Sequence, residues 1–328
     1  MAKYPTLIAD IGGTNARFAL SQSAPPFFFR ARTLQCGEFE DIYQALDLYL
    51  QTEKIEQLSG ICFAVAGPVV RQTVTFPNSH WHIDAPNLAQ RYDCHQTHIL
   101  NDFEAIALSL ASLTDDDLLG LDTQNQVNLR NKVDDFTIGV IGPGSGLGIA
   151  GLCRRNGVTF PLVTEAGHVG FAPESVLQNQ VLNYLHKEFD NRISRERLLS
   201  GPGLVNIYNA LCEIHAHQNS QLTAADIAIG GTKKTDKICQ QAIDLFFEIL
   251  GQIAGDVVLS LGALDGIYIA GGIAQRYPTE LKNSSFRAGF ENKGRHRSML
   301  EKTPSWLITH NNPGLVGASI YAQEKIKL

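Results

Sequence analysis

Asp10, Gly12, Gly13 and Thr14 form a dense group of chemistry-bearing residues inside the run Leu7 to Leu20, LIADIGGTNARFAL. An apolar strand leads to an aspartate, a glycine pair with a hydroxyl follows, and a second alternating strand leaves the turn. Glycines can take backbone angles closed to other residues and put no Cβ between their amide N–H groups and an anion, so the turn predicts a phosphate clamp. Thr14 adds a hydroxyl donor, and Asp10 at the strand's end can hold a magnesium ion directly or through water. The same residues also suit a hairpin whose Asp and Gly are turn chemistry alone. A Walker A loop is excluded, because GxxxxGK[ST] is absent and no lysine follows these glycines.

A second turn repeats the pattern about 130 residues on: Gly139 to Gly151, GVIGPGSGLGIAG, reads as apolar strand, glycine-rich turn with Ser145, apolar strand. Two such hairpins predict two related halves. Gly146, Gly148 and Gly151 satisfy GxGxxG, yet they fall in a strand pattern that runs to the turn Arg154 to Gly157. A dinucleotide fingerprint needs a helix there, so that reading is rejected. Gly142, Gly144, Ser145 and Gly146 remain as a second backbone cradle or a tight hairpin. A third glycine pair, Gly271 and Gly272, follows the apolar strand Gly266 to Ala270 and precedes a helical pattern.

Three further groups carry acid, base or hydrogen-bonding chemistry. Asn101 and Asp102 end a strand and open an amphipathic helix, where either could be an N-cap. A carboxylate at the carboxyl end of a strand in an α/β sheet also faces the crevice where ligands bind, and the positive end of the helix favours negative charge there. Glu165 and His168, in TEAGHVG, have metal-ligand spacing only if the segment is helical, which its two glycines oppose. Carboxylate and imidazole together suit vicinal hydroxyls better, with a surface loop as the plain alternative. Glu196, in SRERLLSGPG, reads by spacing alone as a solvated helix residue.

These residues must be positioned by alternating strands and helices, so the fold class is α/β. Helical periodicity marks Phe39, Ile42, Leu46 and Leu50, then Phe103, Ile106, Ala107 and Leu110, then Ile238 to Ile253, and a tail helix beginning at Gly314 or Leu315. Length favours two domains: 328 residues exceed one typical core. The stretch Thr114 to Asn131, with Asp115 to Asp117 and the polar run Thr123 to Gln126, has the composition of a surface connection and puts the boundary near residue 114. Phe27, Phe28 and Phe29 read as strand core. A formal charge of −6 without basic runs predicts no nucleic-acid or membrane partner. Six scattered cysteines without a CxxC pair predict buried reduced thiols, and the N-terminus has no signal-peptide apolar region, so the expected compartment is the cytoplasm. Val257 to Ala274 is the most apolar long stretch, but Asp265 and three glycines make a membrane span improbable.

Taken together, the motifs resemble the bacterial glucokinases of the sugar-kinase and actin superfamily, nearly end to end. DIGGTN is similar to that family's first phosphate motif, GPGSGLG to its second and IYIAGGIA to its adenosine motif, in the same order. LNDFEA resembles the segment with the catalytic aspartate, and TEAGHVGF the one with the sugar-binding Glu and His. ISRERLLSGPGLVNIYNAL is similar to a stretch whose first glutamate, here Glu196, reaches the sugar, and NNPGLVGA to the C-terminal helix.

The resemblance implies two ribonuclease H-like (actin-like ATPase) domains flanking an interdomain cleft. The small one would cover 1–113, joined by a C-terminal helix at 314–328, and the large one 114–313. It implies ATP-dependent phosphorylation of glucose on its 6-hydroxyl, in a homodimer, with Asp102 as general base and Asn101, Asp102, Glu165, His168 and Glu196 on the sugar. Ala9, Asp10, Ile11, Gly12, Gly13, Thr14, Gly142, Gly144, Ser145 and Gly146 would hold the phosphates, Asp10 would position Mg²⁺, and Gly271 and Gly272 would admit the adenosine. Asn78, in FPNSHW, is a further implied sugar contact. The cysteine-rich zinc motif of the related repressor, ORF and kinase (ROK) family is missing after Gly167 and His168, so no zinc is expected. Kinases of another hexose or an N-acetylhexosamine, and a non-catalytic sugar-sensing regulator, are the alternatives.

Overall fold

The computed structural model describes residues 4–76, 80–94, 96–122, 135–189 and 192–326. The chain divides into one unit of Met1–Leu113, Phe160–Val163 and His310–Leu328, and a second of Thr114–Thr159 and Thr164–Thr309.

In the first unit, β1 (Thr6–Ile11), β2 (Asn15–Ser21) and β3 (Phe28–Gln35) form an antiparallel meander, and β4 (Gly60–Val65) lies parallel to β1. A separate hairpin, β5 (Thr73–Thr75) and β6 (His82–Asp84), precedes β7 (Thr97–Asn101), which is parallel to β4. The sheet order is β3-β2-β1-β4-β7. β4, flanked on both edges, is buried along its whole length, as its continuous apolar sequence GICFAV requires. The period of two on β1 sends Leu7, Ala9 and Ile11 into a core shared with the helix Ile42–Glu53, while Ile8 and Asp10 point to the opposite face. On that opposite face the helix Pro313–Lys325 lies against β1 and the helix Asp102–Ser109. Gly317 makes the crossing close: a Cβ there would collide with the Ala105 carbonyl.

Phe27 to Phe29 depart from the core expectation. Phe27 sits in a turn at φ 67°, and Phe29 is 41% exposed. The reason is position: β3 is the outer strand of its sheet and is mostly exposed, so apolar sequence alone could not bury it.

A second sheet repeats the arrangement. β8 (Leu118–Gly120), β9 (Phe136–Pro143), β10 (Leu147–Arg155), β11 (Val158–Val163), β12 (Ile267–Ile269) and β13 (Ser305–Ile308) form a sheet in the order β11-β10-β9-β12-β13-β8. β9 and β10 are an antiparallel hairpin, and β9, β12 and β13 are parallel. The first five strands of this order match the first sheet position for position, so each half has its glycine turn between its central strand and the next. β8 is an addition, antiparallel to β13. It corrects the reading of residues 114–131 as mere surface connection, since three residues offer too short an alternation to register as a strand. Residues 123–131 of that reading lie outside the described residues.

The helix Lys237–Leu261 spans the core of this unit, started by Asp236, whose side chain accepts the Cys239 N–H, and ended by Gly262 at φ 66°. That stop divides Val257 to Ala274 between a helix end and β12, and no helix among the described residues is long and apolar enough to cross a membrane. All six cysteines are buried and unpaired.

Candidate functional site

β1 delivers Ala9, Asp10 and Ile11 to the first glycine turn, with Asp10 opposite Arg17 across the hairpin. The Arg17 Nη1 lies 3.5 Å from Asp10 Oδ2. Burial pushes the Asp10 carboxyl above its ordinary range, and the guanidinium opposes that shift. The Gly12 N–H donates to Asn15 O at 2.9 Å and closes the turn, whose other end is held by the Cys36 N–H on Thr14 O at 2.8 Å. Among the described residues, no backbone acceptor takes the N–H groups of Gly13 and Thr14. Neither Gly12 nor Gly13 uses a positive φ, so of the two expected reasons for glycine the unusual backbone angle does not apply here. What glycine supplies is bare backbone beside open amides.

The register Ile11↔Val65↔Asn101 aligns the ends of β1, β4 and β7. Asn101 therefore sits level with the first glycine turn, two strand spacings or roughly 10 Å away along the same carboxyl edge. Asn101 is the N-cap: its Oδ1 accepts Phe103 and Glu104 N–H at 2.9 and 3.3 Å, and its Nδ2 donates to Gly67 O at 3.1 Å. Capping by Asn101 leaves Asp102 as the first helical residue, with Oδ1 accepting the Phe103 N–H at 2.9 Å.

In the second unit the turn Gly142 to Gly146 joins β9 to β10. Gly144 N–H donates to Gly146 O at 2.8 Å, and Gly144 O accepts the Gly201 N–H at 2.8 Å. Among the described residues the N–H groups of Ser145 and Gly146 have no backbone acceptor, the same pattern as at Gly13 and Thr14. Gly271 is the one predicted glycine with a positive φ, 90°, and a Cβ on it would run into the Pro143 carbonyl. Two of the three glycine bends thus touch each other at one end of this sheet.

Glu165 precedes and His168 ends a single 3₁₀ turn, Ala166–His168, in place of the helix that metal-ligand spacing would need. Gly167 lets that turn press onto Leu147, whose carbonyl lies where a Cβ would be. His168 Nε2 is 3.9 Å from Glu165 Oε2, and its Nδ1 is 4.0 Å from Glu196 Oε1. Glu165 and His168 side chains are 58% and 57% exposed and can meet a ligand. Glu196 is not the solvated helix residue that spacing suggested: it lies in the 3₁₀ turn Arg195–Arg197 and accepts the Leu147 N–H through Oε2 at 2.9 Å.

The structure thus gathers Asp10, the turn at 12–14, Asn101 and Asp102 on one edge of the first sheet. It gathers Glu165, His168, Glu196, the turn at 142–146 and Gly271 at one end of the second. Asn78 lies outside the described residues. Sequence reasoning missed Arg17 and Gly314, both against Asp10. Arg17 was reachable through hairpin register, since the Ile11↔Ala16 pair sets Asp10 opposite it. Gly314, more than 300 residues away from Asp10 in sequence, had no local signal.

A single half-buried carboxylate, Asp10, beside the first glycine turn would fit Mg²⁺ carried mainly by phosphates and water. No group of three or more His, Cys, Asp or Glu side chains among the described residues could cage a metal.

A family model described as Glucokinase matches residues 7–325. A glucokinase of Xylella fastidiosa strain M12 is 37% identical over 324 residues, which cover 98% of this chain and 95% of the relative. The crystal structure of a glucokinase from an Antarctic psychrotroph superposes with a TM-score of 0.84 at 31% identity, covering 98% of this chain and all of that one, 100%. A glucokinase from Balamuthia mandrillaris in complex with glucose shares the fold at a TM-score of 0.83 and 22% identity, covering 98% of this chain and 94% of that one. The duplicated sheets are accordingly those of the actin-like ATPase fold. The chain belongs to the glucokinase family.

Proposed function

We propose that the chain transfers the γ-phosphoryl group of ATP to the 6-hydroxyl of glucose. One observation carries this reading: Glu165, His168 and Glu196, a set of hydroxyl-binding groups, are built directly onto a glycine turn with two open amides. Hydroxyl recognition and anion recognition therefore share one scaffold.

In this reading Asn101, Asp102, Glu165, His168 and Glu196 hold the sugar. Asp102 accepts the proton of the 6-hydroxyl as its oxygen bonds to the γ-phosphorus, and ADP leaves with the bridging oxygen. The open amides of Gly13, Thr14, Ser145 and Gly146 meet phosphate oxygens, and the bend at Gly271 and Gly272 leaves room for the adenosine. Mg²⁺ held beside Asp10 would neutralise phosphate charge. Phosphoryl transfer needs mainly alignment and charge neutralisation, because its loose transition state spreads charge over the phosphoryl oxygens. The reading includes a cytoplasmic homodimer, on family resemblance.

The test is ADP release from ATP and Mg²⁺, measured with and without glucose in a coupled assay. Rapid release with glucose and slow release without it is the expected result, since water is an abundant competing nucleophile that the site must reject. Equal rates in both conditions would refute it. The ratio of kcat/KM across glucose, mannose, fructose and N-acetylglucosamine then ranks the substrates.

A further inference from the structure

Glu196 serves two segments at once. Its Oε1 faces His168 Nδ1 at 4.0 Å, within the hydroxyl-binding group. Its Oε2 accepts the Leu147 N–H at 2.9 Å and lies only 2.6 Å from the position of a Cβ on Gly146. The end of the second glycine turn is therefore shaped around this carboxylate, and a Cβ at Gly146 would push the Glu196 carboxylate out of its place.

The segment that carries Glu196 grips the same turn a second time. Gly201 N–H donates to Gly144 O at 2.8 Å. Ser200 locks the segment, its Oγ donating to Glu196 O at 2.8 Å and accepting the Gly203 N–H at 3.0 Å. One grip is a charged side chain and the other is backbone, so only the first can be removed by substitution. With Leu147 N–H tied to Glu196 and Gly144 N–H tied to Gly146 O, the open donors of the turn are confined to Ser145 and Gly146. Releasing Glu196 would free the turn's exit and blur the direction of those two amides.

We infer that Glu196, beyond its place among the sugar-binding groups, is a positioning residue for the second phosphate turn. Nucleotide affinity then depends on a sugar-site carboxylate even when no sugar is present. The inference rests on the kinase reading above.

The experiment is calorimetric titration of the intact protein with Mg·ADP in the absence of sugar, using Glu196→Ala, Glu196→Gln and Gly146→Ala. Glu196→Ala removes the acceptor of a buried N–H, and Gly146→Ala displaces the carboxylate while leaving it chemically intact. Each should weaken Mg·ADP binding about tenfold, the loss of one charge-assisted hydrogen bond. Glu196→Gln keeps an oxygen for the Leu147 N–H, so its Mg·ADP affinity should stay within about twofold of wild type while its glucose affinity falls. Wild-type Mg·ADP affinity in Glu196→Ala or Gly146→Ala overturns the inference, as does a loss in Glu196→Gln equal to that in Glu196→Ala. If Glu196→Ala does not fold, the other two variants decide. A wild-type protein that binds no Mg·ADP at all would sink the kinase reading, and the clamp with it.

Discussion

Gly314 lies against the Asp10 carboxyl: a Cβ at 314 would stand 3.0 Å from both Asp10 Cγ and Oδ2. The first turn of the C-terminal helix is thus fitted to the carboxylate at the end of β1, with no space between them for a methyl group. Gly314 has no positive φ, so alanine can take its backbone conformation, and in a helix alanine is favoured by about 1 kcal/mol. Gly314→Ala should therefore leave Tm unchanged or raise it. The Asp10 carboxyl must nevertheless move by a few tenths of an ångström, and kcat/KM for ATP should fall about tenfold. Steady-state kinetics beside a thermal melt checks this. Unchanged kinetics would show that the placement of Asp10 is not critical.

One turn further on, the same helix makes a contact of a different kind. Gly317 meets backbone, the Ala105 carbonyl, which cannot swing aside as a side chain can. Gly317→Ala must push the helix Pro313–Lys325 away from the helix Asp102–Ser109, and overpacking of this sort should cost about 2 to 3 kcal/mol. Urea denaturation followed by far-UV circular dichroism measures the loss. A change below about 0.5 kcal/mol, the range of ordinary surface substitutions, would mean that the helices separate freely.

His98 gives the fold a pH dependence of predictable sign. Its ring stacks edge-to-face on Tyr321 at 5.7 Å. Burial, and after it the charge of Lys325, hold its imidazole below the ordinary value of 6.5. With the folded pKa below the unfolded one, the unfolded chain binds the proton more readily, so stability rises with pH. Stability conferred by neutral His98 is complete above the unfolded value, falls as pH drops through it, and levels off below the folded value. Urea midpoints from about pH 8 to about pH 5 should decline for wild type and decline less for His98→Phe, which keeps the aromatic contact. Parallel declines would assign the effect to other groups.

The parts of this molecule that could be read from sequence are those whose cause is local. Glycine turns after apolar runs, the amphipathic helix after Asn101, and the repeat of one hairpin about 130 residues on all rest on neighbouring residues. The duplicated sheet order is the structural form of that repeat. What escaped was set by distant chain. Phe29 is exposed because β3 received no outer neighbour, a fact of topology rather than of hydrophobicity. Gly314 and Gly317 are fixed by Asp10 and Ala105, far away in the sequence. Glu196 read as a solvated charge because its partner, the Leu147 N–H, is a backbone group that no side-chain spacing could reveal. For Gly12 and Gly13 one of the two expected reasons for glycine, an unusual backbone angle, does not hold, and a positive φ is found instead at Gly271.

Asp102 admits an unusually clean substitution. Its Oδ1 accepts the Phe103 N–H at 2.9 Å, while the capping of the helix falls to Asn101. Asparagine at 102 keeps an oxygen for that N–H and nearly the same shape, so the helix start is preserved. What it loses is the basicity that the proposed role of Asp102 requires. A positioned base contributes about 10² to 10⁴-fold, so Asp102→Asn should lower kcat by roughly that factor. Glucose binding, followed by calorimetry or by intrinsic tryptophan fluorescence, should persist, and Tm should change little. A fall in kcat with retained binding is the signature of an interaction made in the transition state. Turnover near that of wild type would remove Asp102 from the role of base, and a loss of glucose binding alone would make it a sugar ligand and nothing more.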